Sequence, residues 1–495
     1  MIDGVPLKLF NSLTREAEAF HPVHPGEARV YSCGPTVYNY QHVGNMRAYI
    51  FADTLGRVLS WKGYTLTHVV NITDVGHLTS DADAGEDKLE KSAAAQGKSA
   101  WDIAAHYQQV FEGDLARLNV RKPAHPRATE YVEAMIEWGK AIEAEHCYRL
   151  SGGLYFDVTT VPDYGRLARS TTDEGESRIE TVEGKRHPAD FAIWRATPPG
   201  ETRQMEWESP WGRGAPGWHI ECSVMSAALL GHPFDIHTGG IDHREIHHPN
   251  EIAQNQAHMH SADTGAQVWM HNNFLVDRRG KMSKSSGEFL TLQALVDRGY
   301  HPLAYRLMCL QAHYRSELEF TWEGLGAALT RLKRMVIAAQ AVKAKHASDG
   351  HAHIAPPEGG WTLAGLLDDI GGTLRPFAAQ FDEAVSDDLN TAVALTVLDE
   401  VLAHKRLASG EMLTLIAAFD AVLGLGLLDL TRADLRIAPK DAGIAEAGIE
   451  AALARRKDAR AAKDFATSDA IRNELAAKGI EVMDGDPLGW EWKLG

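Results

Sequence analysis

The feature that most constrains the fold is a strand–helix–strand pattern between residues 29 and 71. Arg29–Cys33 has the pattern of a short strand that ends in a turn at Gly34 and Pro35. A helix is predicted from about Asn45, because apolar residues recur there at the spacing of one helical face. They are Phe51, Leu55, Val58 and Leu59. Leu66–Asn71 is a second predicted strand, so the whole is a βαβ unit of a parallel sheet, with ligands at the strand carboxyl ends.

The remaining chain alternates between helical and sheet-like stretches. In chain order these are a mainly helical stretch over 101–149, a turn-rich insertion over 172–217, a strand at Phe234–His237, a helix from near Pro249 and further helices from about Leu325. A last segment, from near Ala442, predicts two helices and a hairpin. The hairpin carries Trp490 and Trp492, which could either stack on bases or form the core of a small domain.

Composition indicates a globular chain of several domains. The 495 residues correspond to about three domains of roughly 150 residues each, and the hydrophobic and charged fractions are 44% and 24%. Four widely spaced cysteines do not form a disulfide framework. The chain has no apolar run long enough for a membrane span and no signal-peptide pattern, so a cytoplasmic protein without a membrane partner is expected.

Charge alone gives a mixed indication about nucleic acid. The net charge of −17 argues mildly against such a partner, since nucleic acids favour basic proteins, but a local basic stripe is enough for binding. The predicted C-terminal helix carries one, which we call the basic stripe: Arg455, Arg456, Lys457, Arg460 and Lys463. It could contact RNA, or it could be only the solvated face of a helix.

A loop rich in lysine and serine follows the predicted sheet. This lysine loop, Lys281-Met282-Ser283-Lys284-Ser285, lies between Gly280 and Gly287. Lysines bind phosphate as compact charges, hydroxyls add hydrogen bonds, and flanking glycines would let the loop close over a triphosphate. The same pentapeptide could also be an ordinary solvated loop.

A second polar motif, Gln41–Asn45, lies between the first strand and its helix. The N-terminus of a helix attracts anions, and Gly44 permits a close backbone approach. His42 could donate a hydrogen bond to a phosphate as charge develops there. The alternative is a polar turn in which Asn45 is the helix N-cap.

Side chains that can bind metals are spread over the chain. Cys33 ends the first strand, Cys222 follows a Trp-His-Ile-Glu run, and His247 and Glu251 are spaced to share one helical face. Thiolate, imidazole and carboxylate groups are all zinc ligands. Spacing alone leaves open that the cysteines are core residues and the histidine a helix cap. A zinc hydrolase is a further interpretation, built on His237, His243, His247 and His248.

Together, the two phosphate-binding motifs resemble the HIGH and KMSKS motifs of class I aminoacyl-tRNA synthetases, and nearly the whole chain resembles the cysteinyl-tRNA synthetases. The segments that carry this resemblance include Tyr31–Tyr38, Asn71–Asp74, Pro126–Thr129, Asp190–Trp194, Gly217–Ser223, His247–Gln254 and Asp387–Thr391. One departure is that HIGH reads His42-Val43-Gly44-Asn45. Asparagine forms hydrogen bonds but carries no proton charge, and we expect activity to survive; the alternative is an RNA-binding homologue with weak catalysis.

The resemblance implies an α/β fold: a Rossmann-like class I synthetase catalytic domain with an insertion, followed by an α-helical bundle and a small C-terminal anticodon-binding domain. The implied boundaries are 1–115 and 216–290 for the catalytic domain, 116–215 for the inserted connective region, 291–330 for the stem-contact region, 331–441 for the helical bundle and 442–495 for the anticodon-binding domain.

The implied activity is ATP-dependent ligation of cysteine to its tRNA through cysteinyl-adenylate, by a monomer that uses ATP with Mg²⁺. The residues implied to be catalytic are His42, Asn45, Lys281 and Lys284, of which His42, Asn45 and Lys284 bind ATP. The closest alternative is a cysteine ligase of the mycothiol-biosynthesis type, whose acceptor is an amino-sugar. That family generally lacks an RNA-binding C-terminus, so residues 449–492 favour tRNA.

The resemblance further implies one zinc ion per chain, bound by Cys33, Cys222, His247 and Glu251. The cysteine pocket is implied to contain Thr73, Trp218, His237 and Asp242, although Trp218 could equally be a core residue. A shaped pocket alone separates cysteine from serine by only about 10²-fold. A thiolate is a far better zinc ligand than a hydroxyl, so zinc would act as a recognition device.

Overall fold

The computed structural model describes residues 4–76, 87–168, 183–277, 280–281, 290–349, 354 and 356–494. The strands are β1 (Lys8–Asn11), β2 (Glu16–Ala19), β3 (Glu27–Ser32), β4 (Thr65–Val70), β5 (Cys147–Leu150), β6 (Gly153–Phe156), β7 (Phe191–Ala196), β8 (Gly214–Pro216), β9 (Phe234–Gly240), β10 (Ala266–Asn272), β11 (Leu275–Asp277), β12 (Gly280–Lys281), β13 (Leu318–Glu319), β14 (Ile480–Val482) and β15 (Trp490–Trp492). The helices are α1 (Val43–Trp61), α2 (Lys88–Gln96), α3 (Ala100–Arg117), α4 (Val132–His146), α5 (Trp218–Leu230), α6 (His247–Met259), α7 (Leu292–Asp297), α8 (Pro302–Leu310), α9 (Trp322–Ser348), α10 (Leu363–Asp369), α11 (Arg375–Ser386), α12 (Thr391–Ala403), α13 (Ser409–Leu423), α14 (Glu446–Ala461) and α15 (Phe465–Ala477).

A four-stranded parallel sheet in the order β10-β9-β3-β4 lies at the centre of the catalytic region. Helix α1 connects β3 to β4, and α6 connects β9 to β10, so the two βαβ units run outward from the central pair β3 and β9. The chain segments that leave these two strands diverge, which opens a crevice at their carboxyl ends. The predicted parallel α/β fold is therefore confirmed.

Helix α1 has the predicted apolar stripe but begins earlier than expected. His42 is its N-cap, and the Nδ1 atom of that residue accepts a hydrogen bond from the Asn45 N–H at 3.2 Å. The alternative in which Asn45 caps the helix is wrong, because an N-cap has a non-helical backbone and Asn45 lies within the first turn. Helix α6 likewise begins before Pro249, at His247, since proline is tolerated in a first turn.

The predicted insertion contains more sheet than its turn-rich sequence indicated. Helix α4 is followed by the antiparallel sheet β5-β6-β7-β8. Strand β7 is almost entirely buried, because Phe191–Trp194 is a continuous apolar run. Strand β8 leads into α5, which begins at Trp218, so the insertion positions a helix of the central crevice. Residues 172–182 of the predicted insertion lie outside the described residues.

Helices α9 to α13 share one continuous core with the sheet. This core extends from Val30 in β3 to Phe419 in α13. Arg306 in α8 is fully buried within it and donates to Asp53 Oδ2 of α1 at 2.6 Å and to the Leu423 carbonyl at 2.8 Å. The sheet and the helical region are thus joined by packing and by a buried ion pair, and the domain boundaries given above stay predictions.

The C-terminal unit, residues 446–492, consists of α14, α15 and the β14–β15 hairpin, as predicted from the sequence. It has a core of its own, formed by Ile449, Ala452, Ile471, Leu475, Ile480, Trp490 and Trp492. Trp490 and Trp492 are buried there, so of the two uses considered for them the core is the one that the structure supports. Among the described residues, no helix combines the length and apolar character needed to cross a bilayer.

Candidate active site

The structure brings four predicted metal ligands together at the carboxyl edge of the sheet. Cys33 follows β3, Cys222 lies in α5, and His247 and Glu251 lie in the first two turns of α6. One ligand atom from each lies within 4.8 Å of the others, and His247 Nε2 is 3.0 Å from Glu251 Oε1. We call these four residues the ligand cluster. Two sulfurs, one imidazole and one carboxylate match the chemistry of a zinc site.

A second combination of side chains shares two members with the ligand cluster. Cys33, His237, His248 and Glu251 also have ligand atoms within 4.8 Å of one another. His248 Nε2 is 3.2 Å from Cys33 Sγ, and His237 Nε2 is 2.9 Å from Glu251 Oε2. His248 also contacts His271, with 2.8 Å between Nδ1 and Nε2. His247 therefore stays the predicted ligand, with His248 as its neighbouring competitor.

Two histidines outside the predicted set support the imidazoles of the site. His219 Nδ1 is 2.9 Å from His247 Nδ1, and His271 connects His248 to the hydroxyl of Ser12. Burial holds the pKa of His219 well below its usual range, so its ring is neutral and can accept the Nδ1 proton of His247. His247 Nε2 faces Glu251 Oε1 at 3.0 Å, so it is the ring nitrogen that lies within the ligand cluster. The three-residue spacing of His219 and Cys222 was a signal in the sequence, whereas His271 had none.

The pKa values of three side chains in the ligand cluster are strongly shifted. Burial would raise the pKa of Cys33, but its hydrogen bond with Cys222 and the charge of nearby histidines hold it well below its usual range. The same hydrogen bond, together with burial, raises the pKa of Cys222. Despite burial, the charges of His237 and His247 lower the pKa of Glu251 to about 2. These shifts favour negative charge on the Cys33 sulfur and the Glu251 carboxylate, which suits a divalent cation.

The ligand cluster opens into a cavity of about 460 Å³ between α1, α5 and the ends of the central strands. Its lining includes eight of the predicted site residues: Cys33, His42, Asn45, Thr73, Trp218, Cys222, Asp242 and His247. His237 does not line this cavity; it is fully buried behind it, against Glu251. The structure therefore places the predicted nucleotide motif and most of the predicted cysteine pocket around one space.

The walls of this cavity are held by hydrogen bonds between distant motifs. Asn71 Oδ1 accepts from the Gly34 N–H at 2.8 Å, and a Cβ atom on Gly34 would lie only 1.4 Å from the Asn71 carbonyl oxygen. Thr73 Oγ1 donates to Glu221 Oε2 at 2.8 Å. Asp74 accepts from the Thr129 N–H at 2.9 Å and from its hydroxyl at 2.7 Å. Gly34 therefore permits the close approach of the Asn71 backbone. The hydrogen bonds of Asn71, Thr73 and Asp74 hold the adjoining segments in contact.

The structure describes the whole of the first predicted phosphate-binding motif but only the start of the second. His42 and Asn45 stand at the N-terminus of α1, where the positive end of the helix dipole favours an anion, while the N–H groups of Val43 and Asn45 donate to the Leu290 carbonyl and to His42. The backbone of Lys281 lies in β12, which pairs with β11 beside the cavity. Lys284 and the rest of the lysine loop lie outside the described residues. The roles of all four residues stay predictions.

The basic stripe of α14 is partly neutralised. Arg456 is buried and donates to both oxygens of Asp484, at 2.6 and 2.8 Å, and Arg460 donates to the same carboxylate at 2.9 Å. Two of the five cations of the basic stripe are therefore engaged in ion pairs within the unit. Nearby, Phe465 at the start of α15 is 62% exposed, which is unusual for a large aromatic side chain. The sequence pattern did not single it out.

Comparisons with known proteins first establish the class of protein to which the chain belongs. Residues 19–330 match the family described as tRNA synthetases class I (C) catalytic domain. The solved structure of Mycobacterium tuberculosis methionyl-tRNA synthetase in complex with methionyl-adenylate superposes with a TM-score of 0.51, over 81% of this chain and 90% of that chain. Its sequence identity of 16% means that this likeness concerns the fold alone. The chain therefore has the catalytic fold of a class I aminoacyl-tRNA synthetase.

Relatives that match over nearly the whole chain identify the family within this class. Residues 445–487 match the family described as Cysteinyl-tRNA ligase anticodon binding domain. The cysteine–tRNA ligase of Novosphingobium aromaticivorans is 67% identical over 99% of this chain and 98% of that relative. That of Zymomonas mobilis is 54% identical over 99% of this chain and 98% of that relative. The chain belongs to the cysteinyl-tRNA synthetase family.

Proposed function

We propose that the chain activates cysteine with ATP and transfers the cysteinyl group to its tRNA. The observation that carries this proposal is the convergence of two cysteines, a histidine and a glutamate beside a cavity that His42 and Asn45 also line. Metal ligands of this type are suited to a thiol substrate, and a helix N-terminus is suited to phosphate. Membership of the cysteinyl-tRNA synthetase family supports the same conclusion over the whole chain.

The first step forms cysteinyl-adenylate. A carboxylate oxygen of cysteine bonds to the α-phosphorus of ATP, the bond from that phosphorus to the bridging oxygen breaks, and pyrophosphate leaves with Mg²⁺. His42, Lys281 and Lys284 would hold the phosphates, beside the positive end of the α1 dipole. Asn45 would contact the nucleotide by hydrogen bonds. The enzyme contributes position and charge stabilisation, as in other phosphate chemistry.

The ligand cluster would select the amino acid. Zinc, when bound by Cys33, Cys222, His247 and Glu251, supplies a position for the substrate thiolate that serine cannot fill comparably. Thr73, Trp218 and Asp242 would orient the amino acid in the cavity. His237 would act from behind Glu251, as a hydrogen-bond partner of that carboxylate. One zinc ion per chain follows from this assignment.

The second step uses tRNA. A hydroxyl of its terminal ribose attacks the adenylate carbonyl, loses its proton and displaces AMP. The C-terminal unit is the proposed anticodon contact, which supports tRNA over the amino-sugar acceptor of the mycothiol-type ligases. Metal hydrolysis and binding without catalysis are not favoured, because neither accounts for a full-length match to a ligase family. The monomeric state and the cytoplasmic location stay predictions.

Transfer of labelled cysteine to total tRNA, with ATP and Mg²⁺ and zinc-loaded protein, tests this function. We expect charging with cysteine and none with serine, measured as acid-precipitable label. A second assay, cysteine-dependent ATP–pyrophosphate exchange, separates the two steps. Exchange without charging would indicate an acceptor other than tRNA, and absence of both under conditions in which a control synthetase works would contradict the proposal.

A further inference from the structure

Helix α1 carries a buried guanidinium that neither signature motif explains. Arg47 is 2% exposed, and among the described residues its hydrogen-bond acceptors are backbone carbonyls. Burial lowers the pKa of Arg47, which reflects the cost of removing its charge from water. A buried cation is retained only where hydrogen bonds compensate for lost hydration. Arg47 lies only two residues after Asn45 of the predicted nucleotide motif, so the burial of its charge there calls for a functional explanation.

Four carbonyls surround this guanidinium. Nη1 donates to the carbonyls of Asn273 at 2.9 Å and Phe274 at 2.6 Å. Nη2 donates to those of His313 at 3.2 Å and Ser316 at 2.6 Å. These bonds use every N–H of the two terminal nitrogens. Arg47 thus joins α1 to two separate loops, 273–274 between β10 and β11, and 313–316 before β13.

The two loops are also joined to each other. The Asn273 N–H donates to the Tyr314 carbonyl at 2.8 Å, and β11 pairs with β13 in parallel. Strand β11 pairs on its other side with β12, which contains the backbone of Lys281. Asn273 and Phe274 line the same cavity as His42 and Asn45. Arg47 therefore stands at the junction between the helix of one phosphate motif and the strands that lead to the other.

We propose that Arg47 is a positioning residue for adenylate formation. It does not line the cavity, and it sets the separation between the N-terminus of α1 and the β11–β12 pair that precedes the lysine loop. A guanidinium is required because its planar fork reaches two loops at once, whereas a lysine ammonium presents its donors from a single nitrogen. This inference rests on the proposed function and assigns a residue to its first step.

Cysteine-dependent ATP–pyrophosphate exchange tests this role in Arg47→Met and Arg47→Lys. We expect Arg47→Met to lower kcat on the order of 10²-fold, since a displacement of about 1 Å in such a site has that effect. The KM for cysteine should stay within about twofold, because the ligand cluster lies at the end of β3 and on helices α5 and α6, outside the loops that Arg47 contacts. Arg47→Lys should lose less activity than Arg47→Met and keep a Tm near that of the wild type. It is therefore the variant to assay if Arg47→Met folds poorly.

Arg57→Met is the matched control, because Arg57 is a second buried arginine of α1, 8% exposed. It donates to Asp53 and to the carbonyls of Asn119 and Ala421, away from the cavity. We expect it to lower Tm and leave kcat unchanged. Wild-type kcat in Arg47→Met, or an equal loss of kcat in Arg57→Met at the same Tm, would overturn the assignment. A wild-type protein without exchange would instead contradict the proposed function, and this assignment with it.

Discussion

At the carboxyl edge of the parallel sheet, Cys222, His247 and Glu251 are buried and each contacts another polar group, whereas in the C-terminal unit Arg455 and Lys457 are exposed. The ligand cluster assembles its polar groups from three separate segments of the chain, which contain Cys33, Cys222 and His247–Glu251. The C-terminal unit builds its small core from residues 449–492, a single stretch. A small substrate needs groups fixed in position, while a long polyanion needs charge and aromatic surface at a distance from the core.

The largest expected effect tests whether the ligand cluster alone carries cysteine recognition. Cys222→Ala should lower kcat/KM for cysteine in pyrophosphate exchange by more than about 10²-fold, because changing even a hydrogen-bond partner of a metal ligand costs up to that much. Bound zinc, measured by elemental analysis, should fall with it. Cys309→Ala is the control, since Cys309 is also buried but lies in α8 outside the cluster. Equal activity of the two variants would remove the cluster from the mechanism.

Whether the C-terminal core acts separately from the catalytic site can be tested by opening that core. Trp490 is fully buried and its Nε1 donates to Glu450 at 2.7 Å. Trp490→Ala should destabilise the unit by about 3–5 kcal/mol, because it leaves a large cavity. Charging of tRNA should fall while cysteine-dependent exchange stays at the wild-type rate, as measured by both assays on one preparation. A parallel loss of exchange would show that the two regions are coupled.

A smaller effect is expected from the partner of a metal ligand. His219→Phe keeps most of the ring volume but removes the contact with His247 Nδ1, and zinc affinity should fall about 10- to 100-fold. Competition with a chromogenic chelator measures this affinity. His258→Phe is the control, because His258 stacks on Trp138 with 3.6 Å between ring centroids, away from the cluster. Unchanged affinity in His219→Phe would make the contact a packing feature only.

The smallest effect concerns the exposed surface of the C-terminal unit. Phe465→Ala should raise the KM for tRNA about tenfold, within the range that base–aromatic stacking contributes, and leave exchange unchanged. Steady-state charging at several tRNA concentrations measures the shift. Val393→Ala, at another exposed apolar residue in α12, provides the control. If both variants keep the wild-type KM, RNA contacts in this unit rest on charge alone.

Much of this architecture follows from local pattern. The βαβ unit, the stripe from Phe51 to Leu59 and the C-terminal helices and hairpin were all predictable, since each depends on a period that neighbouring residues display. The types of metal ligand were also recognisable, and the resemblance to a family connected them into one site. The buried strand β7 was missed because turn residues around it dominated the stretch.

What local pattern could not determine is which distant groups meet. Cys33 comes beside Cys222 and Glu251 because β3 and β9 are central neighbours from which both βαβ units run outward. In the C-terminal unit, packing within one stretch of the chain pairs Arg456 with Asp484 and buries Trp490, and the residue pattern alone does not indicate this pairing either. Side chain type and spacing state what chemistry is available within a segment. Which side chains of different segments come into contact depends on the order of the strands in the sheet and on the burial of charge. Both arise only when the chain has folded.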